Sequence, residues 1–169
     1  MRKVKDIRCL QCGTPMEAGR GDWGGFALPG VTLVDVPMLR CPGCGETEHG
    51  VEEAEVLSRL VAAELVAKPA RLTPEEIRFL RSHLELSGGE LAKHMGTTPE
   101  TVSRWENGAM PMGRVADRLL RAMVALRGGL SCPLEVFRDV ARGQSKPIEL
   151  LMRYSRSKGW RREKCREVA

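Results

Sequence analysis

An α+β chain of small modules is what the 169 residues predict: a β module at the N-terminus, an all-α domain of short helices behind it, and a helical C-terminal extension. Three observations carry that prediction. Two Cys-x-x-Cys pairs flank a stretch containing several β-branched residues, a series of short capped amphipathic segments fills the middle, and two weaker helical patterns follow. The expected boundaries are 1–50 for the cysteine module, 51–69 for a connecting helix and linker, 70–128 for the helical domain and 129–169 for the extension with its basic tail. Aromatics make up only 4% of the chain, so a small module has few large rings to bury and needs a staple of another kind.

Cys9-Leu-Gln-Cys12-Gly13 and Cys41-Pro-Gly-Cys44-Gly45 supply that staple. Each offers two thiolates from one tight turn, and two such turns complete a tetrahedral four-sulfur site. The repeated two-residue gap argues for metal in a reducing compartment rather than for disulfides, although a redox dithiol is the alternative use of such a motif. One structural Zn2+ on Cys9, Cys12, Cys41 and Cys44 is expected, with no coordination position open for catalysis. His49 is expected at the surface, and Cys132 and Cys165 are left over. Between the pairs, residues 16–22 and 31–39 read as extended segments joined through Gly24-Gly25 and Pro29-Gly30, a small antiparallel sheet. Trp23 and Phe26 in the connection suit either contact with a partner or cover for that sheet.

The helices announce themselves by their ends. Over 51–67, Val56, Leu57, Leu60, Val61, Leu65 and Val66 recur at helical spacing, and Lys68-Pro69 closes the run. That stripe would pack on the cysteine module or pair with a second copy of itself. Thr73-Pro74-Glu75-Glu76 and Ser87-Gly88-Gly89-Glu90 are two capping boxes, opening helices that carry Ile77, Leu80 and Leu84, then Leu91, Ala92 and Met95. After Gly96, Thr98 caps a short helix with Pro99 in its first turn and Gly108 past its end. Val102 and Trp105 would face the core from it, leaving Glu100, Ser103, Arg104 and Asn107 on the other side. A fourth amphipathic helix carries Val115, Leu119, Leu120, Met123, Val124 and Leu126. Weaker patterns over 133–142 and 145–154 predict the helical extension, the second with Ile148, Leu151 and Tyr154 in register.

The formal net charge of +5 is concentrated at the C-terminus, where Arg153, Arg156, Lys158, Arg161, Arg162, Lys164 and Arg166 face only Glu163 and Glu167. Such a segment suits a polyanion or is simply a solvated end. No apolar run approaches the roughly 18 residues needed to span a bilayer, and the first residues lack a secretory pattern, so no membrane partner and a cytoplasmic location are expected. No Ser/His/Asp set, paired carboxylate cleft or phosphate-cradling loop is visible, which argues against an enzyme. His83 and His94 read as partly exposed polar residues.

Leu86-Ser-Gly-Gly-Glu-Leu-Ala-Lys-His-Met-Gly96 followed by Val102-Ser-Arg-Trp-Glu-Asn-Gly108 resembles the helix-turn-helix of the lambda and Cro repressor type, the XRE family. With the two cysteine knuckles, residues 9–126 resemble the YgiT or MqsA family of zinc-finger antitoxins and regulators; the last forty or so residues lie outside it. The resemblance implies a lambda-repressor-like fold and a sequence-specific regulator, a repressor binding double-stranded DNA at a palindromic operator as a homodimer. Its alternative is an antitoxin whose zinc module neutralises a toxin protein while the helix-turn-helix autoregulates the pair. It places Arg104 on a base-reading position, with a fork that suits guanine. Glu100 either reads a base or pairs with Arg104. Ser87, Lys93 and Thr98 would position the phosphate backbone, with Ser103 and Asn107 as further contacts. Gly88 stands where such repressors place a phosphate-gripping Gln, and Arg81 and Glu106 fall on positions that form a structural ion pair.

Overall fold

The computed structural model describes residues 7–129 and 134–163. Cys132, Pro133, Lys164, Cys165, Arg166 and Glu167 lie outside the described residues. The α+β class holds, and the chain forms two compact units, one of residues 1–54 with 149–169 and one of residues 55–148. Their division falls at 54/55 and 148/149 rather than at Lys68-Pro69, so residues 55–69 belong to the helical unit and the chain end to the cysteine unit.

The cysteine unit is a sheet of β1 (Glu17–Gly24), β2 (Val31–Arg40), β3 (Thr47–His49), β6 (Leu150–Ser155) and β7 (Gly159–Glu163). Strand β2 is its spine. β1 runs antiparallel along one edge, while the other edge pairs in parallel with β6 over Val31 to Val34 and antiparallel with β3 over Met38 to Arg40. A bulge sets Asp22 against both Val34 and Asp35; Asp35 takes a φ of 55° and its N–H donates to Asp22 Oδ1 at 2.8 Å. The extra residue shifts the alternation, so Val31, Leu33 and Val36 all point inward. They bury with Leu28, Leu150, Met152 and Trp160, whose Nε1 donates to the Glu52 carbonyl at 2.5 Å.

Here the expected helix over 145–154 is overturned, and with it the wholly helical extension. Leu150 and Met152 are buried two apart, a strand period, and the segment pairs with β2 and then with β7. A short apolar run is ambiguous between helix and strand, and here the deciding partner lies more than a hundred residues upstream. The same pairing places Arg153, Arg161 and Arg162, three of the basic residues near the chain end, in strands, and Arg153 Nε meets Glu163 Oε1 at 2.5 Å.

The helical unit contains α1 (Ala54–Ala67), a two-residue strand β4 (Ala70–Arg71), α2 (Pro74–His83), α3 (Gly88–Met95), α4 (Pro99–Glu106), α5 (Arg114–Arg127), α6 (Leu134–Asp139) and strand β5 (Arg142–Ser145), which pairs with β4. Both capping boxes form: the Thr73 and Ser87 hydroxyls accept from the N–H groups of Glu76 and Glu90, whose carboxylates accept in return. The α1 stripe buries Leu57, Val61, Leu65 and Val66 within this unit, with Ile77, Leu80, Leu91, Val102, Trp105, Leu120 and Val124 completing the core. His83 accepts or shares a proton with Ser58 Oγ at 3.2 Å and stacks on Phe79, whereas His94 is exposed.

Two buried ion pairs lock the entry to this unit. Arg121, fully buried, donates from Nε to Asp117 Oδ1 at 2.6 Å, from Nη1 to the carbonyls of Leu65 and Lys68 at 2.7 and 2.6 Å, and from Nη2 to that of Ala70 at 2.8 Å. Asp117 Oδ2 accepts the Leu72 N–H at 2.8 Å. Beside them Lys68 pairs with Glu76 and donates to the Lys146 carbonyl at 2.6 Å, while Glu76 Oε1 accepts the Ile148 N–H at 2.8 Å. Burial draws the Lys68 ammonium below its ordinary range, and Glu76 opposes that pull. The two cations and two anions cancel, which is the condition for burying them.

Arg121→Met removes the donors of five acceptors at once, the Asp117 carboxylate and the carbonyls of Leu65, Val66, Lys68 and Ala70, and strands Asp117. The substitution is expected to cost about 3–5 kcal/mol, read as a lower denaturant midpoint.

Candidate nucleic-acid interface and metal centre

Helix α3 ends on Gly96, whose φ of 62° closes it, with the Thr97 N–H donating back to the Ala92 carbonyl at 3.0 Å. Thr98 then opens α4, its Oγ1 accepting the Thr101 N–H at 3.3 Å. Past α4, Gly108 adopts a φ of 76° and the Met110 N–H donates to the Arg104 carbonyl at 3.1 Å. These closures hold a two-turn helix that by length alone would not persist in water. Val102 and Trp105 bury its inner side, at 1% and 7% exposure.

Glu106 joins α4 to α2 through a two-point contact, Arg81 Nε to Oε1 at 2.5 Å and Nη2 to Oε2 at 3.1 Å. Arg81 Nη1 also donates to the Leu86 carbonyl at 2.8 Å, and the Glu106 contact raises the Arg81 pKa further. One guanidinium thus ties together α2, the connection to α3 and the end of α4.

The seven residues singled out for DNA contact are all exposed, and local bonding divides them. Ser87 and Thr98 are engaged as caps, and Asn107 Oδ1 accepts the Ala109 N–H at 3.0 Å. The Glu100 carboxyl is held below the usual range by its own backbone N–H and the Thr98 hydroxyl, with Arg104 only a lesser influence. No ion pair joins Glu100 to Arg104 among the described residues. Lys93, Ser103 and Arg104 are left with side chains that no bond in the described structure engages. Gly88 opens α3, and a side chain added there would meet open space.

The sulfur atoms of Cys9, Cys12, Cys41 and Cys44 lie within 4.8 Å of one another. Cys9 and Cys44 approach to 3.5 Å, Cys12 and Cys41 to 3.4 Å, far longer than a disulfide and close to the roughly 3.8 Å edge of a tetrahedron built on 2.3 Å metal–sulfur bonds. The two loops are made alike: the Gly13 N–H donates to the Cys9 carbonyl at 2.9 Å, the Gly45 N–H to that of Cys41 at 3.0 Å, and both glycines take positive φ. Thr14, which no motif pointed to, sits 3.3 Å from Cys12 Sγ, and its hydroxyl, its backbone and the neighbouring thiols draw that thiol down to about 6. Cys44 has the Glu46 N–H pulling it down, yet the other three cysteines push it up to about 12. Gly43 is required by closeness: a Cβ there would stand 2.8 Å from Thr14 Oγ1. His49 is no part of the cluster and stacks on Trp23 at 5.0 Å, with Phe26 edge-on to the same ring and both aromatics half-buried.

Helices α2 to α5 with these closures define a helix-turn-helix domain. Residues 77–123 match the helix-turn-helix family model HTH_3, a family of DNA-binding domains. Comparison with curated proteins and with solved structures finds no match. No helix among the described residues is long and apolar enough to cross a membrane.

Native mass spectrometry of the purified chain is expected to show one metal ion per chain, and Cys12→Ser with Cys44→Ser to lose it. Metal retained by the double variant would contradict the four-sulfur site.

Proposed function

We propose that the chain is a sequence-specific transcriptional repressor that binds double-stranded DNA through α4 as a homodimer, with a structural zinc ion in its cysteine unit. The observation that carries this is Arg104. It is an exposed guanidinium on the outer face of a helix fixed at both ends, and among the described residues no ion pair engages its fork, Glu100 one turn earlier feeling its charge only as a lesser influence. Ser103 beside it and Lys93 on α3 offer free donors to the backbone. Ser87 and the first N–H groups of α3 present the helix end that suits a phosphate. Glu100, occupied by its own cap, contributes mainly by shaping the edge of the face, and Thr98 and Asn107 by holding the helix ends.

Zinc is the ion that best fits four thiolates in a closed tetrahedron, and in such a site it supplies folding energy rather than chemistry. The cluster buries Cys9 and Cys41 with Met16, a core too small to hold the loops unaided. Dimerisation is supported by α5, where Val115, Leu119 and Leu126 are 80%, 40% and 82% exposed on one face and Ala122 completes the 4-3-4 spacing. A second copy docking there gives the two-fold symmetry that a palindromic operator requires, with half-sites about one helical turn apart. The zinc-finger antitoxin family shares both parts, but no feature of the cysteine unit specifies a toxin, so repression is the function proposed.

In binding to its own upstream DNA, Arg104→Ala is expected to lose about 1–3 kcal/mol on the preferred sequence and little on random DNA. Equal loss on both would mean a phosphate contact only. Gly88→Gln, entering open space, should tighten binding to both through a hydrogen bond to phosphate while leaving the salt dependence unchanged, because the added amide carries no charge. In analytical ultracentrifugation Leu119→Asp should shift a dimer to monomer while leaving the helical content intact; an unchanged dimer would move the interface elsewhere.

A further inference from the structure

A cavity of about 330 Å³ lies within the helical unit under α4, between α2, the loop from α4 to α5 and strand β5. Its wall is mostly apolar, from Ile77, Trp105, Met110 and Met112. Two methionines make that wall adaptable in shape. Arg71 and Gln144 supply polar lining. Of the five donors on the Arg71 guanidinium, one is committed to the Met112 carbonyl, and no carboxylate pairs with it among the described residues. An apolar space of this size with an uncompensated guanidinium on its wall is complementary to a small hydrophobic anion.

We propose that this cavity binds a small aromatic or branched aliphatic carboxylate, its ring or chain against Trp105 and the two methionines and its carboxylate on Arg71 and Gln144. The site adjoins the reading helix directly. Trp105 belongs to α4, and Met110 donates its N–H to the carbonyl of Arg104. A molecule seated there packs against the methionine loop that closes α4, so its binding biases the presentation of Arg104 and the affinity for DNA. This regulatory consequence rests on the DNA reading above, whereas the site itself does not.

The test uses the full chain and 1-naphthoate as probe, with 1-naphthalenemethanol as the same ring without the charge. Calorimetry without DNA is expected to show one saturable site for naphthoate in the submillimolar range and binding of the alcohol about tenfold weaker. Arg71→Met should bring naphthoate down to the level of the alcohol. Met110→Trp, a change at a half-buried position that fills the space, should remove both. Absence of saturable binding, or binding that neither variant alters, overturns the site. In a second arm, saturating naphthoate should change the DNA dissociation constant of the unaltered chain at least threefold and that of Met110→Trp not at all. A bound probe that leaves DNA affinity unchanged overturns the regulatory role. A chain that binds no DNA even without probe contradicts the DNA reading and equally removes that role, and calorimetry still decides the site.

Discussion

The helical unit depends on Arg121. Its guanidinium closes the end of α1 and the strand that follows by taking up the carbonyls of Leu65, Lys68 and Ala70, and through Asp117 it fixes the Leu72 N–H one residue before the cap of α2. A helix end buried without such partners would leave carbonyls unsatisfied at a cost of about 1–3 kcal/mol each. With that junction fixed on α5, α2 starts where its capping box requires and ends where Arg81 meets Glu106. The position of α4, and so of Arg104, follows from the two arginines in turn. Both act by gathering several acceptors at one point, which no apolar side chain in their place would do.

Exposure alone does not make a reading face. Three of the seven polar residues around α3 and α4, Ser87, Thr98 and Asn107, spend hydrogen-bonding capacity on helix ends, and among the described residues no ion pair joins Glu100 to Arg104 four residues on. The short helix therefore presents a cation, a hydroxyl and open backbone on a rigid support. On the proposed function such rigidity matters, because a bidentate contact with a base edge tolerates little angular error.

What could be read from the chain in advance was whatever is decided locally. The capping boxes at Thr73 and Ser87, the glycine that ends α3, the cap of α4 and the paired cysteine loops all form as expected, since each involves residues within a few positions of one another. Arg81 and Glu106 were legible only through resemblance to the repressor family. Arg121 and Asp117 were not legible at all: four apart on an amphipathic helix, they look like a surface pair, and only the distant carbonyls of the linker reveal them as buried. The C-terminal strands failed for the same reason. Leu150 and Met152 find their partner in β2, and a run of six residues holds too little periodic signal to announce a pairing across that separation.

The most direct measurement of the account is amide chemical-shift mapping of the chain titrated with a DNA duplex carrying its preferred site. Perturbations concentrated on the start of α3 and along α4, with the Arg104 side-chain Nε signal among the largest, are the predicted result. A map centred on the sheet of the cysteine unit, with α4 unmoved, would contradict it.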